Sequence, residues 1–502
     1  MCTLLRFFRT RDLTKLEPNF YAIIRTSVDI HVVAAIVMAA TVIFTLNISY
    51  SNQFFNNNIN LWIVHGAEIP QEKLPIIHDA SLSVELVFEK EIQHEGGTLS
   101  PVSSIAFLNK NDFLLLNKNE GTVNRYVNGS FLKEPLLDVN VANKRERGML
   151  GIAISPNSNR ATETGNNVKY VFLYYTESEE RDGSDICRAT YYCKLDAETL
   201  GNRLYKYELK DNKLVNPALL LNLPAWPAPA HNGGVVIIGP DNNLYITVGD
   251  LVGSSNESSR TKAQNYKNGT EPDGRAGILS ITQDGKHIRE PILGKKFPLN
   301  LYYAYGIRNS FGIDFDPVTQ KLWDTENGPD YGDEINLVEP GFNSGWHQVQ
   351  GIWKPIYDPI RGGDLIAGKE SLNPDSKALA DFNGNGKYSR PEFTWNQTVG
   401  PAQIKFLDSS KYPKEFKDDL FVGDTNNGYL YHFNLNDDRT SLRLNGSLSD
   451  HVANSNNELT DVIIGEGFGQ ITDLELSPDG YLYVLSHDKN MAMLYKILSK
   501  IR

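Results

Sequence analysis

The sequence predicts an all-β fold, a six-bladed β-propeller with long loop insertions, preceded by one N-terminal transmembrane helix. From about residue 81 onward, short β-rich runs alternate with turn signals, and helical periodicity is nearly missing. A degenerate unit also recurs, in which an apolar strand, a Pro-Asp-Gly-like turn and a second strand with Tyr or Phe follow one another. Repeated units of this kind are typical of propeller blades. The six copies begin at Ser104, Gly151, Val235, Gly312, Gln403 and Leu474.

An apolar segment near the N-terminus predicts a membrane anchor. Residues 32–46 are apolar apart from threonine, and with their flanks they approach the length of about 19 residues that a span needs. Basic residues precede this segment, and no Lys or Arg occurs from Ser27 to Glu72. The positive-inside rule then places the N-terminus in the cytoplasm and the rest outside. We expect a basic cytoplasmic segment at 1–26, an anchor at 27–50, a spacer at 51–80 and an extracytoplasmic propeller at 81–502.

Charge and cysteine content narrow the possible partners. The net charge of the 502-residue chain is −12, and no basic stripe offsets it, which argues against nucleic acid as a partner. Cys187 and Cys193 are the only cysteines beyond the predicted anchor. In an oxidising compartment these two cysteines are expected to form a local disulfide.

The segment from His231 to Asp250 is the first candidate for chemistry. Residues 235–238 and 244–248 favour strands, and residues 239–243 between them have turn chemistry. In a hairpin with strands of similar length, the start of the first strand and the end of the second lie together. His231 and Asp250 are therefore expected to face one another, and a paired imidazole and carboxylate can abstract a proton. The alternative is a hydrogen-bonded turn histidine beside an unrelated loop aspartate.

Arg308 and Asn309 lie immediately before another predicted strand. There they could direct a guanidinium and an amide into the funnel of the propeller and stabilise negative charge developing on a carbonyl or quinone oxygen. The alternative is that Arg308 pairs with a carboxylate of a neighbouring blade.

Two stretches are rich in the oxygen donors that Ca²⁺ prefers. Gly328-Pro329 offers two carbonyls in a turn, and three acidic residues follow within residues 330–334. Acidic turns without metal are also common. Residues 381–392 fit the EF-hand loop pattern, with Gly386 at the sharp turn, although no helix is expected to follow. The alternative there is a polar hairpin loop. The side-chain ligands of this second stretch would be Asp381, Asn383, Asn385 and Glu392.

Five sequence blocks resemble the glucose/sorbosone dehydrogenase family, in the same order and with similar spacing, over residues 84–498. The resemblance implies a six-bladed quinoprotein that oxidises the C1 hydroxyl of an aldose sugar with pyrroloquinoline quinone (PQQ) and Ca²⁺. The blocks are Glu146-Arg-Gly-Met-Leu-Gly-Ile-Ala153, His231-Asn-Gly-Gly234 with Val248-Gly-Asp250, Tyr305-Gly-Ile-Arg-Asn309, Asn327-Gly-Pro-Asp330 with Asp333-Glu-Ile-Asn336, and Asn343-Ser-Gly-Trp346.

For catalysis, the resemblance implies that His231 is the base that takes the proton of the sugar C1 hydroxyl, with Asp250 orienting it. Arg308 and Asn309 would contact the quinone carbonyls.

For metal binding, the same resemblance implies two Ca²⁺ sites. The carbonyls of Gly328 and Pro329 would hold the catalytic ion, while Glu334 and the backbone of Ser344 would ligate a structural one.

The chain departs from the family where the cofactor's carboxylates are clamped. The family has a lysine in the fifth blade and an Arg-x-Arg pair before the last Pro-Asp-Gly turn. Asn426, Gln470 and Thr472 occupy those places here. Each charge-assisted contact can contribute about 1.5–3 kcal/mol, so the quinone pocket is under-charged unless Lys405 or another cation reaches in.

Three functions follow from these observations. The first is a membrane-anchored sugar dehydrogenase that uses PQQ and Ca²⁺, with an electron acceptor that the sequence does not name. The second is a non-catalytic propeller that binds carbohydrate or protein and has lost the quinone. The third is a calcium-dependent hydrolase of the lactonase type, in which metal and His231 would activate water.

Overall fold

Strands form nearly all of the regular structure in this computed structural model. It describes residues 74–91, 102–156, 168–179, 199–253, 257–288, 290–358, 364–370, 378–488 and 491–500. Within these ranges the helices are short 3-10 turns of three to six residues, and no helix is long and apolar enough to cross a membrane. These turns are Glu257–Ser259, Lys262–Gln264, Leu299–Leu301, Lys414–Phe416, Gly446–Leu448 and Asn456–Asp461.

Two of the predicted features cannot be compared with the structure. The chain divides into a first unit, Met1–Gln71, and a second unit, Glu72–Arg502. The predicted anchor at 27–50 and the cysteine pair Cys187 and Cys193 lie outside the described residues.

The described strands of the second unit form seven sheets, of which six have four to six strands. Sheet 1 contains Val102–Asn109, Asp112–Asn117, Thr122–Val127, Ser130–Phe131 and Leu137–Asp138. Sheet 2 contains Met149–Ile154, Lys169–Ser178, Thr199–Lys210 and Lys213–Leu223. Sheet 3 contains Val236–Ile238, Leu244–Val248, Gly277–Ile281, Tyr302–Tyr305, Phe342–Asn343 and Lys387–Tyr388.

The remaining sheets follow in chain order. Sheet 4 contains Ser310–Phe315, Leu322–Glu326, Asp333–Val338, Phe393–Trp395 and Val452–Ala453. Sheet 5 contains Pro401–Phe406, Leu420–Asp424, Leu430–Phe433, Ile463–Glu466 and Ile76–Ile77. Sheet 6 contains Gln470–Leu476, Leu482–Asp488, Met491–Ser499 and Leu82–Glu91. The seventh is a two-stranded hairpin, Trp353–Asp358 with Asp364–Glu370.

The first strands of sheets 1 to 6 lie around one centre. Each contacts the first strand of the next sheet, except that sheets 3 and 4 meet through Leu244–Val248 and Ser310–Phe315, and apolar clusters fill the space between neighbouring sheets. These side chains are removed from water on both faces of most sheets, which is the main stabilising term for such a fold. The predicted all-β propeller is therefore confirmed, while the blade count of six stays a prediction. Side chains on the first strands and on the loops that follow them are in position to line a central site.

The N-terminal part of the second unit is built into two sheets. Leu82–Glu91 runs antiparallel to the C-terminal strand Met491–Ser499, with Leu82 opposite Ser499. Ile76–Ile77 pairs with Ile463–Glu466 in sheet 5. These two residues therefore belong to a sheet rather than to the spacer that we predicted for 51–80.

Candidate active site

The predicted hairpin brings His231 and Asp250 into direct contact. Its two strands, Val236–Ile238 and Leu244–Val248, pair antiparallel with Val236 opposite Ile246. The imidazole Nδ1 of His231 lies 2.6 Å from Oδ1 of Asp250. The backbone supports the same geometry, because the Leu251 amide donates to the His231 carbonyl at 3.3 Å. The expectation that these two side chains face one another is confirmed.

Close backbone packing places His231 at this point. Gly233, two residues later, has φ +60°, and a Cβ there would lie 2.6 Å from the Thr247 carbonyl oxygen. Only glycine fits this approach, since another residue would meet both strain and a backbone clash. His231 itself has φ +59°, which is uncommon for a residue with a side chain and is often found at functional sites.

Asp250 is held by several donors and is fully buried. Its carboxylate accepts from the Val252 amide at 2.8 Å, from Trp346 Nε1 at 2.8 Å and from Gln264 Nε2 at 3.3 Å. Burial by itself raises the pKa of Asp250, but His231, Arg308 and the Trp346 hydrogen bond outweigh it and hold that pKa well below its usual range.

An ionised Asp250 fixes the tautomer of His231. Because a carboxylate only accepts, Nδ1 of His231 carries the hydrogen between them. In the neutral ring the lone pair is then on Nε2, which is the atom able to take a proton.

Glu146 organises the same site from the turn that precedes the first strand of sheet 2. Its Oε2 accepts from the His231 amide at 2.6 Å, the Asn232 amide at 3.4 Å and Asn309 Nδ2 at 3.1 Å. Glu146 lies in one of the blocks that resemble the family, but the sequence pattern indicates no role for it. Neither a spacing rule nor a local motif connects it to His231, 85 residues later.

Arg308 lies half-buried beside Asp250. Its carbonyl accepts the Asp250 amide at 2.8 Å, its amide donates to Glu326 Oε1 at 2.7 Å, and its Nη1 donates to the Asn327 carbonyl at 2.8 Å. The guanidinium lies over Trp346, 5.4 Å from the ring centroid. Burial lowers the pKa of Arg308, against the opposing effect of Asp250 and other nearby carboxylates. A cation is therefore fixed next to the dyad, while the contact of Arg308 with a quinone carbonyl stays a prediction.

Both polar atoms of the Asn309 side-chain amide are hydrogen-bonded. Its Oδ1 accepts from the Gly233 amide at 3.1 Å, and its Nδ2 donates to Glu146 Oε2 at 3.1 Å. Asn309 thereby links Glu146 to the turn formed by Gly233 and Gly234, which we call the glycine turn. The predicted contact between Asn309 and a quinone carbonyl would have to replace one of these bonds.

A central cavity of about 330 Å³ adjoins the glycine turn. Gly233 and Gly234 line it on one side, and the three predicted cofactor contacts Asn426, Gln470 and Thr472 line it on the other. Thr472 Oγ1 is buried without a hydrogen-bond partner among the described residues, whereas Asn426 Nδ2 donates to the Thr398 carbonyl at 3.2 Å. The structure therefore brings these three residues together in one cavity.

The cavity carries more acidic than basic side chains. Its lining includes Lys118 and Arg145 as cations, and Glu146, Asp473 and Glu475 as acids. Lys118 Nζ already donates to three oxygens, Asn119 Oδ1 at 2.8 Å and the carbonyls of Arg145 and Arg147 at 2.9 Å.

Lys405 does not supply the missing charge to the cavity. Its Nζ lies 2.8 Å from Glu475 Oε2 and 3.8 Å from Asp314 Oδ1, so two carboxylates already compensate it. Asp473 next to them is buried and accepts from Ser104 Oγ at 2.7 Å and from the Ile105 amide at 2.8 Å. Burial, together with Glu475, raises the pKa of Asp473 to about 7.

The residues predicted for Ca²⁺ near the dyad form a buried hydrogen-bonded group. Ser344 Oγ lies 2.7 Å from Glu326 Oε2 and 3.1 Å from Glu334 Oε2. Burial raises the pKa of Glu326 to about 7 and that of Glu334 well above its usual range. Next to them the Gly328 amide donates to Asp333 Oδ1 at 2.8 Å.

No metal-binding group is formed by these or other acidic side chains in the described ranges, since no three His, Cys, Asp or Glu residues converge as they would around an ion. The roles of Glu334, Ser344 and the carbonyls of Gly328 and Pro329 stay predictions.

The EF-hand-like stretch is a surface turn in the structure. Asp381, Asn383 and Asn385 are exposed, and the amides of residues 384 and 386 donate back to the Asp381 carbonyl. The Glu392 carboxyl is hydrogen-bonded to the side chain of Ser441. The polar-turn alternative describes this geometry, and the Ca²⁺ role of these four residues stays a prediction.

The fold and the site together define a β-propeller with a histidine–aspartate dyad at its centre. The sequence profile of the family described as "Glucose / Sorbosone dehydrogenase" matches residues 99–496. The chain belongs to this family.

Named relatives agree with the assignment. The chain is 25% identical over 399 residues to aldose sugar dehydrogenase YliI of Escherichia coli, covering 78% of this chain and 88% of that protein. It is 29% identical over 215 residues to quinoprotein glucose dehydrogenase B of Acinetobacter calcoaceticus, covering 41% of each.

Solved structures share the fold. The apo form of the soluble E. coli aldose sugar dehydrogenase superposes with a TM-score of 0.58 at 20% identity, covering 84% of this chain and 100% of that one. The PQQ-bound aldose sugar dehydrogenase of Streptomyces coelicolor has a TM-score of 0.52 at 20% identity, covering 84% and 99%.

Proposed function

We propose that this protein is an oxidoreductase that removes hydrogen from the C1 hydroxyl of an aldose sugar. The single observation that carries the proposal is the His231–Asp250 contact of 2.6 Å, with Asp250 ionised and buried. It leaves Nε2 of His231 as the base for the hydroxyl proton. We also infer six blades, one for each sheet of four or more strands.

The chain's own residues account for the proton half of the reaction. Oxidation of a C1 hydroxyl to a lactone removes one proton from oxygen and one hydride from carbon. His231 takes the proton, and Asp250 stabilises the imidazolium that results. Arg308, held against Trp346, favours negative charge on the oxygen as the proton leaves. The hydride needs a two-electron acceptor, which a bound quinone would supply.

The cavity does not fit PQQ as a clamped tricarboxylate. Where the clamp would lie, Asn426, Gln470 and Thr472 are neutral, and Asp473 and Glu475 add acidic groups to the same wall. Placing three carboxylates there gives them no cation at the three clamp positions and puts them beside the acidic residues Asp473 and Glu475, which is unfavourable in a partly buried site. A quinone that carries carboxylates would therefore bind here without charge-assisted contacts at these three positions.

This mismatch favours one second candidate, a carbohydrate- or protein-binding propeller that no longer holds a quinone. The amide of Asn309 supports it, since both sides of that amide are already engaged by protein groups.

One experiment separates the two candidates. The full-length protein is mixed with PQQ and Ca²⁺, and dye reduction is followed with a panel of aldoses, while sugar binding is measured by calorimetry. We expect turnover that His231→Ala lowers by a factor of about 10² or more. The matched control is His287→Ala, because His287 is an exposed histidine outside the site. Sugar binding without turnover would establish the second candidate, and full activity of His231→Ala would remove this histidine from the mechanism.

We further propose that residues 27–50 anchor the protein in a membrane with the propeller outside the cytoplasm. The support is the apolar run and the distribution of Lys and Arg around it. Protease added to intact cells should digest the propeller, and full protection of it would contradict this orientation.

A further inference from the structure

The central cavity has an apolar wall that the proton transfer at His231 does not use. Residues on or next to the first strands of sheets 2, 3 and 4 form this wall of the cavity of about 330 Å³. The apolar residues are Leu150, Ile152, Val235, Ile237 and Phe311. A concave space with such a lining is typical of a site for a small ring-shaped ligand, and it is too small for a macromolecular partner.

Phe311 is the largest apolar residue of this wall. It is the second residue of the strand Ser310–Phe315 and is half-buried, although the residues on either side of it are buried. Within the described residues, the apolar clusters between the sheets include Ile313 of the same strand but not Phe311. Its ring therefore stands outside the packed core and beside the cavity, where a ligand ring can cover its apolar surface.

The other wall of the cavity supplies neutral hydrogen-bonding groups. Asn426 and Gln470 line it with side-chain amides, and Thr472 lines it with a hydroxyl. Oγ1 of Thr472 is buried and has no hydrogen-bond partner in the described part of the chain. A buried hydroxyl without a partner is unfavourable. A ligand carbonyl that accepts a hydrogen bond from Thr472 would remove this cost.

The ionisable groups of the lining do not favour an anionic ligand. The lining has two cations, Lys118 and Arg145, and three acidic residues, Glu146, Asp473 and Glu475. Lys118 Nζ already donates to three oxygens, and Arg145 is followed directly by Glu146 in the chain. A ligand with carboxylates needs cations when it leaves water, whereas an uncharged ligand does not.

We propose that the central cavity binds an uncharged quinone, a ring that has carbonyl oxygens and no carboxylates. The ring lies against Phe311, and one carbonyl accepts the hydrogen of the Thr472 hydroxyl. The inference rests on the proposed function for the class of ligand, because removal of a hydride from the sugar needs a two-electron acceptor. It departs from the tricarboxylate PQQ, to which the three clamp positions offer no charge.

Calorimetric titration of the full-length protein with duroquinone, an uncharged benzoquinone, and with PQQ tests the inference without any sugar. We expect duroquinone to bind at least about tenfold more tightly than PQQ. Phe311→Ala should raise the duroquinone Kd about three- to tenfold, the range that one aromatic contact contributes. Thr472→Val should raise it about two- to tenfold by removing one hydrogen bond. The melting temperature of this second variant should not fall, because the hydroxyl has no partner among the described residues to lose.

The outcomes separate this inference from the proposed function. Phe297→Ala is the matched control, since Phe297 is 70% exposed and does not line the cavity. A PQQ Kd equal to or below that of duroquinone, or an unchanged duroquinone Kd in either variant, would overturn the inference even if a sugar is oxidised. Tighter binding of duroquinone that both variants weaken would support it, and it would do so even if no sugar is turned over and the proposed oxidation fails.

Discussion

Restoring positive charge to the cavity should restore affinity for PQQ. The change is the triple substitution Asn426→Lys, Gln470→Arg and Thr472→Arg, which places cations where the wall is now neutral. Thr472 is half-buried, so a charge-assisted contact there should contribute about 1.5 kcal/mol. Asn426 and Gln470 are exposed, and screening limits each new contact to about 0.5 kcal/mol.

These contributions add up to about 2.5 kcal/mol, which corresponds to a decrease in Kd of between tenfold and a hundredfold. The acidic neighbours Asp473 and Glu475 offset part of the new positive charge, so we expect a decrease in Kd of about tenfold. Calorimetric titration with PQQ in Ca²⁺ buffer measures the effect directly. Asn456→Lys is the control, because Asn456 is exposed and does not line the cavity.

A triple variant with correct circular dichroism and a Kd for PQQ within threefold of wild type would refute the reasoning. It would mean that the neutral side chains are not what separates this cavity from a quinone site.

Two further changes test the dyad and the cavity wall. Asp250→Asn should lower turnover by a factor of about 10²–10⁴, because an amide does not hold Nδ1–H of His231 in the productive tautomer. Dye-reduction rates measure this loss. A variant that keeps more than a tenth of wild-type activity would contradict the expectation. Asp473→Asn should flatten the dependence of stability on pH. The pKa of Asp473 is raised to about 7 in the folded protein, so the unfolded chain loses its proton at lower pH and stability falls as the pH rises from about 4 to about 7. Melting temperatures at pH 5 and pH 8 should therefore differ less in the variant than in wild type, and an equal difference would count against a buried, protonated Asp473.

The sequence predicts the parts of the site that depend on local order along the chain. His231 and Asp250 flank one hairpin, so turn chemistry and strand length were sufficient to bring them together. Arg308 could be picked out for a similar reason, because it lies immediately before a predicted strand and so at the end of the sheet nearest the centre.

The rest of the site depends on contacts between sheets that no local pattern encodes. Glu146 and Trp346 reach the dyad from other parts of the chain, 85 and 96 residues away from their partners. Lys405 could be counted as a free cation from sequence, but its neutralisation by Glu475 and Asp314 appears only when three sheets meet. The same holds for the EF-hand-like stretch, where the spacing of the residues does not show that Glu392 is hydrogen-bonded to the side chain of Ser441.

The pairing of Leu82–Glu91 with Met491–Ser499 has a consequence for how the protein is made. The strand translated first has its partner at the far end of the chain, and at about 5–20 residues per second the ribosome needs tens of seconds to deliver it. During that interval the early strand is an open edge with unpaired amides and carbonyls, the kind of surface on which nascent chains associate wrongly. Loss of the last strand from a truncated transcript would leave that edge open permanently.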